Sequence, residues 1–121
     1  TVVLDAPGAR ALAAFYAKLL GWTPTVTEPD WVLMRDPAGG TGLSFQTEPL
    51  YVPPVWPEQA GKPQKMLHLD FLVKDLEAAV AHAVACGATL SPQQYFEGVR
   101  VFFDPAGHPF CLFVAPTGAP E

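Results

Sequence analysis

His68 and Asp70 stand two residues apart in the run Met66–Val73, MLHLDFLV. In an extended strand that spacing turns both side chains to one face, while Leu67, Leu69 and Phe71 take the other. An imidazole beside a carboxylate is equipped to accept a proton, so His68 and Asp70 are the candidate catalytic residues, each as a general base. His68 is also the candidate metal ligand, since imidazole suits borderline divalent cations. Cys111, in the apolar run Pro109–Val114, offers a thiol that becomes a nucleophile only if a neighbouring base lowers its pKa. No HxH, HxxxH or CxxC spacing supports a preformed metal motif. His82 falls on the polar side of a predicted helix and reads as solvent-facing. His108 directly follows a turn and reads as a loop residue.

Other familiar chemistry is missing from the pattern. The glycine-rich stretch Ala38–Gly42 runs into a strand rather than a helix and has no Lys-Ser/Thr pair, so it is no phosphate loop. Neither a serine elbow nor a dinucleotide fingerprint occurs. Aromatic residues are plentiful near the polar pair in the expected strands, and a large apolar face is rarely left exposed without a role. Trp31, Phe45, Gln46, Trp56, His68, Asp70, Phe103 and Cys111 are therefore the expected lining of a ligand pocket. The competing expectation is a sheet face open to water at an edge. Trp56 lies in a Pro-rich segment, and is expected to close over the sheet or to meet a second subunit.

The elements that must position these residues recur along the chain. Thr1–Asp5 is β-branched and reads as a strand, and Leu12, Phe15, Tyr16 and Leu19 have helical spacing within Ala9–Leu20 before a stop at Gly21. Trp31–Arg35 and Gly42–Gln46 are strands joined through the turn Asp36–Gly39, DPAG, in which Asp accepts from the backbone and Pro presets φ. The order then repeats. Met66–Val73 is a strand, and Asp75 caps a helix whose expected core face is Leu76, Ala79, Val80, Ala83 and Val84. Gly98–Phe103, a second DPAG at Asp104–Gly107 and Pro109–Val114 complete it. Gly21 and Gly87 lie 66 positions apart and the two turns 68, which indicates an internal duplication. Arg35 and Arg100 sit on the strands entering the two turns and are expected in ion pairs.

The totals set the class. A chain of 121 residues, 50% hydrophobic, is long enough for one domain with a real core. Seven Lys and Arg residues against twelve Asp and Glu give a net charge of −5, leaving no basic surface for nucleic acid. Apolar runs are too short for a membrane span, and no signal-peptide pattern opens the chain, although Thr1 leading straight into a strand suggests that residues precede it. Cys86 and Cys111 read as two reduced, buried thiols, which points to the cytoplasm.

FYAKLLGW after the first strand, HLDFLVKDLEAAVAHAVACGA and DPAGHPFCLF together resemble the glyoxalase/bleomycin resistance/dioxygenase (vicinal oxygen chelate) superfamily, in its compact glyoxalase-like branch. The resemblance runs from Val2 to Val114. It implies an α+β fold of two tandem βαβββ modules whose sheets pair into a cup-shaped, partly open barrel. The implied layout is a single domain over 1–114, with module one at about 1–48, a Pro-rich connector at about 49–65, module two at about 66–114, and a disordered tail at 115–121. It also implies a divalent metal held by His or Gln on the first strand and Glu on the last strand of each module. The first position falls on His68 and on Val2. The second falls on Cys111, and on Leu43, or on Ser44 if the loop differs by a residue. Only His68 matches, so no cofactor is assured, and a site from His68 and Cys111 on opposed strands would be incomplete. Two functions follow. One is a small-molecule-binding protein, a homodimer with an organic ligand in an aromatic-lined cup. The other is a metal-dependent or metal-free lyase, isomerase or dioxygenase.

Overall fold

The β-branched strand runs and the two glycine-stopped helices assemble, in this computed structural model, into two compact units, Thr1–Val52 and a second from Pro53 onward. Residues 1–116 are described; most of the expected tail, 117–121, lies outside them. The class is α+β, with one helix and one four-stranded open sheet in each unit.

In the first unit the elements are β1 (Val2–Ala6), α1 (Ala9–Leu20), β2 (Pro24–Thr27), β3 (Trp31–Met34) and β4 (Leu43–Thr47), in sheet order β1-β4-β3-β2. β1 runs parallel to β4, and the other pairs are antiparallel. Leu12, Ala13, Phe15 and Tyr16 of α1 are buried together with Leu4, Val32, Met34 and Phe45 of the sheet. The start of α1 lacks a capping side chain of its own; instead Ala9 N–H donates to Thr47 Oγ1 at the end of β4. Gly21 ends the helix in the left-handed conformation, φ 70°, which glycine adopts without a Cβ clash.

The second unit repeats the topology with β5 (Leu69–Leu72), α2 (Leu76–Cys86), β6 (Thr89–Leu90), β7 (Val99–Phe103) and β8 (Pro109–Phe113), in order β5-β8-β7-β6. Asp75 Oδ1 accepts from Ala78 N–H, the expected N-cap. Both DPAG turns close with a backbone bond from the fourth residue to the first, Gly39 to Asp36 and Gly107 to Asp104.

Each unit has the four strands of the βαβββ order that the resemblance implies, including the short edge strands β2 and β6 that the residue pattern alone did not show. Three expectations change here. β5 begins at Leu69 rather than Met66, because one position upstream its partner on β8 is Pro109, which has no N–H for the ladder. Of the five residues assigned to the core of α2, Ala83 alone is fully buried, and Val84 is 52% exposed. Apolar residues run nearly all round α2, so periodicity could not single out one face. The Pro-rich connector is more than a linker. From Pro53 it folds into the second unit, where Val55 bridges to Gln64 and Val55 N–H donates to the Pro63 carbonyl.

Candidate functional site

The parallel ladder between β5 and β8 sets Asp70 directly beside Cys111 and Leu69 beside Phe110. Alternation then separates two faces. Phe102 and Phe110 stack at 5.5 Å on the buried face, with Phe71 edge-on to Phe110 at 6.0 Å. Asp70, Cys111, Val101 and Val99 turn the other way and line a cavity of about 440 Å³. His68, just ahead of β5, reaches the same cavity with its Nε2 3.2 Å from Asp70 Oδ1. The strands of His68 and Cys111 are thus neighbours in one sheet, not opposed.

Aromatic side chains form the rest of the wall. Trp56 packs its ring 5.1 Å from His68 and stacks on Tyr95 at 5.7 Å. Lys65 Nζ sits 4.2 Å from the Trp56 ring centre and 3.8 Å from Glu58 Oε2, at the rim. Phe96 completes the wall and is 73% exposed. Tyr95 and Phe96 belong to a loop held by two polar side chains. Gln94 matches the backbone of Val101, donating to its carbonyl and accepting from its N–H, while Nε2 also reaches the Ser91 carbonyl. Arg100, expected in an ion pair, instead donates to the carbonyls of Phe96, Glu97 and Val99. Sequence reasoning missed Glu58, Tyr95, Phe96, Val99 and Val101. The available signal was the aromatic pair Tyr95–Phe96 in a loop otherwise made of turn and polar residues.

Of the expected lining, Trp56, His68, Asp70 and Cys111 come together in this cavity. Phe45 does not belong to a lining: it is fully buried and stacks on Tyr16 at 5.7 Å, as core of the first unit. Trp31 and Gln46 are cross-strand neighbours in the first unit. Phe103 ends β7, beyond the part that lines the cavity. His108, read as a loop residue, is bound through Nδ1 to Asp104 Oδ2 at 2.9 Å, and Asp104 is buried. Cys86, expected buried, is half-exposed with its Sγ 3.7 Å from His82 Nε2, and both cysteines are free.

The two parallel ladders superpose at a single spacing. Val3 faces Ser44 as Asp70 faces Cys111, the second pair lying 67 positions after the first. The first loop is one residue longer, so the counterpart of Cys111 is Ser44, the alternative, and not Leu43. The counterpart of His68 is accordingly Thr1 and not Val2, which shares a strand face with the buried Leu4. Thr1 Oγ1 and Ser44 Oγ lie 2.6 Å apart, a hydroxyl pair where the second unit carries imidazole and thiol.

The surroundings of the thiol disfavour the thiolate that nucleophilic attack needs. Burial first, then the charge of Asp70 and its hydrogen bond, push Cys111 up from 9.0 to about 11. The metal implied by the resemblance can be tested against the donors present. Imidazole nitrogen, carboxylate oxygen and thiol sulfur of His68, Asp70 and Cys111 lie within 4.8 Å of one another. That set fits a borderline divalent cation such as zinc, which acts as a Lewis acid toward a bound oxygen. It differs from the family pattern, with a thiol in place of the glutamate and no matching pair in the first unit.

Comparison with known proteins agrees with this architecture. The family model for the glyoxalase-like domain matches residues 1–113. The chain is similar to a glyoxalase/bleomycin resistance protein/dioxygenase family enzyme from Burkholderia phytofirmans PsJN, at 21% identity and TM-score 0.70 over 95% of this chain and 96% of that one. A glyoxalase family protein from Enterococcus faecalis is 24% identical, with TM-score 0.68 and 93% of each chain covered. A possible glyoxalase from Bacillus cereus is 17% identical, with TM-score 0.69 over 93% and 94%. No curated protein matches the chain. The solved structures speak for the fold, and the family model spans nearly all of the sequence. The chain belongs to the glyoxalase-like domain family.

Proposed function

We propose that this chain is a small-molecule-binding protein that holds an organic ligand in the cavity of its second unit without transforming it. The observation that carries the reading is the composition of that cavity. Trp56, Tyr95, Phe96, Val99 and Val101 supply apolar wall, and His68 and Asp70 supply a few polar groups at one end. Binding sites for small organic molecules have this mixture, with apolar area for affinity and sparse polar groups for orientation. The missing glutamates fit a degenerate metal pattern, and uptake needs no metal. Residues 1–114 are taken as the working domain. Two free cysteines suit the reducing cytoplasm. Open sheet edges suit a homodimer, and no helix among the described residues is long and apolar enough to cross a membrane.

Tryptophan fluorescence titrated with a panel of aromatic metabolites tests the proposal. Quenching by at least one compound is expected, and Phe96→Ala should weaken that compound's binding without unfolding the protein. A flat response across the panel would overturn it, as would quenching unchanged in Phe96→Ala, since Trp22 and Trp31 would then be the reporters.

The second reading is an enzyme of the lyase, isomerase or dioxygenase kind. It is favoured by the His68–Asp70 contact at 3.2 Å, with 32% and 56% of the two side chains exposed to an entering substrate. In that reading either residue is the general base. Turnover of a bound compound, lost in both His68→Gln and Asp70→Asn, would replace the binding-only reading.

A further inference from the structure

We propose that His68, Asp70 and Cys111 form a metal site built by the second unit alone, selective for thiophilic divalent ions such as Zn²⁺ and Co²⁺ over Mg²⁺, Mn²⁺ and Ca²⁺. The inference concerns donor types that the family pattern does not supply: Asp70 stands outside the pattern's ligand positions, and Cys111 brings a thiol to the position where the pattern has glutamate. It is independent of organic-ligand uptake.

Position comes from the ladder. Asp70 and Cys111 are paired residues on adjacent parallel strands, so their side chains leave the same face a single strand spacing apart. His68, two residues before Asp70, leaves that face as well. The three donor atoms already converge within 4.8 Å, with the closest nitrogen–oxygen approach at 3.2 Å. A tetrahedral ion with ordinary Zn–N, Zn–O and Zn–S bonds holds its donors roughly 3.5 Å apart. Small side-chain rotations therefore close the set, and the cavity leaves a fourth position open. Cys111 is buried at the floor while His68 and Asp70 stand at its entrance, which gives the ion a route in.

Donor type sets the selectivity. Mg²⁺ and Ca²⁺ require six or more oxygens, and this cluster offers a single carboxylate. The other carboxylate of the cavity, Glu58, is engaged with Lys65. A sulfur donor instead favours zinc and its spectroscopic substitute cobalt. Binding forms a metal–sulfur bond and releases the thiol proton to solvent; no oxidant or reductant takes part.

The test is titration of the full chain, stripped with chelator, with Co²⁺ and no organic ligand. The expected result is an intense near-ultraviolet sulfur-to-cobalt absorption saturating at one ion per chain, bleached by Zn²⁺ and unaffected by excess Mg²⁺. Cys111→Ser should abolish that band, and Asp70→Asn and His68→Gln should each weaken cobalt binding by about tenfold or more. Cys86→Ser should keep the band, which separates this site from the His82–Cys86 pair on α2. Absence of the band in the wild-type chain overturns the proposal, as does a band that survives Cys111→Ser or vanishes in Cys86→Ser. If Cys111→Ser fails to fold, the Cys86→Ser and Asp70→Asn titrations still decide. Because no organic ligand is present, failure here leaves the uptake reading to its own fluorescence test.

Discussion

On the sheet face opposite the one that carries Leu4 and Phe45, the ladder of the first unit carries Thr1, Val3 and the buried Ser44, with the two hydroxyls hydrogen-bonded at 2.6 Å. The equivalent positions of the second unit carry His68, Asp70 and Cys111. The backbone places both trios by one register, so topology supplies the address and residue identity alone supplies the chemistry. Packing differs in the opposite direction. α1 buries Leu12, Phe15 and Tyr16, whereas α2 fully buries only Ala83, and Met66 and Phe96 of the second unit are 93% and 73% exposed. The unit with chemically active side chains is the one that leaves more apolar surface open, as a binding site requires.

Substitutions in aromatic residues test that division most strongly. Phe45→Ala removes a fully buried ring and should lower unfolding free energy by about 3–5 kcal/mol in chemical denaturation. Phe96→Ala in the exposed wall should stay within about 0.5 kcal/mol. Comparable losses for the two would erase the contrast between core and site aromatics.

The next largest effect is pH-dependent and belongs to the second unit. Cys111 ionises near 9.0 when freely solvated and at about 11 when folded, so the unfolded chain gives up this proton first. The contribution is fully present below pH 9 and is lost as pH rises through about 11, by at most about 3 kcal/mol. Tyrosines and lysines titrate in the same range, so the readout is the difference between wild type and Cys111→Ser across that window. Parallel curves for the two would mean that the thiol is not held up by its surroundings.

The repeated turns allow a finer comparison. Asp104 is buried and accepts from Ala106 N–H, His108 N–H and the His108 ring, whereas Asp36 is less buried and accepts from Ala38 and Gly40 N–H. Asp104→Ala removes three part-buried hydrogen bonds to a buried carboxylate and should cost about 2 kcal/mol, against under about 1 kcal/mol for Asp36→Ala. Thermal melts of the two variants check this. A smaller effect than that of Asp104 is expected at Gln94, whose side chain ties the Tyr95–Phe96 loop to Val101. Gln94→Ala should cost about 1 kcal/mol and weaken quenching by any compound that the cavity binds. Binding at full strength would show that the loop holds its place without that bridge.

Much of this was legible from local patterns. Helix α1 matches its 3.6-residue spacing and glycine stop, and the two turns match their Asp, Pro and Gly because those preferences are local backbone physics. His68 and Asp70 were found together since two-residue alternation is also local. The buried face of α2 was misread because its apolar residues carry almost no angular contrast. Phe45 was misassigned because an aromatic strand residue suits a core and a pocket wall equally until the helix position is known.

The sequence by itself determined the order of the longer elements, the Asp75 cap, the glycine stops and the turns, the acidic charge and the family, all of which depend on residues near one another or on composition. Tertiary structure decided the site. Only strand pairing could bring Cys111 beside Asp70, fold Trp56 from the connector onto His68, and set the offset that makes Thr1 and Ser44 the counterparts of His68 and Cys111. Register is a long-range hydrogen-bonding choice, and a slip of one residue turns every side chain to the other face. That choice leaves no mark in the spacing of residues along a single strand.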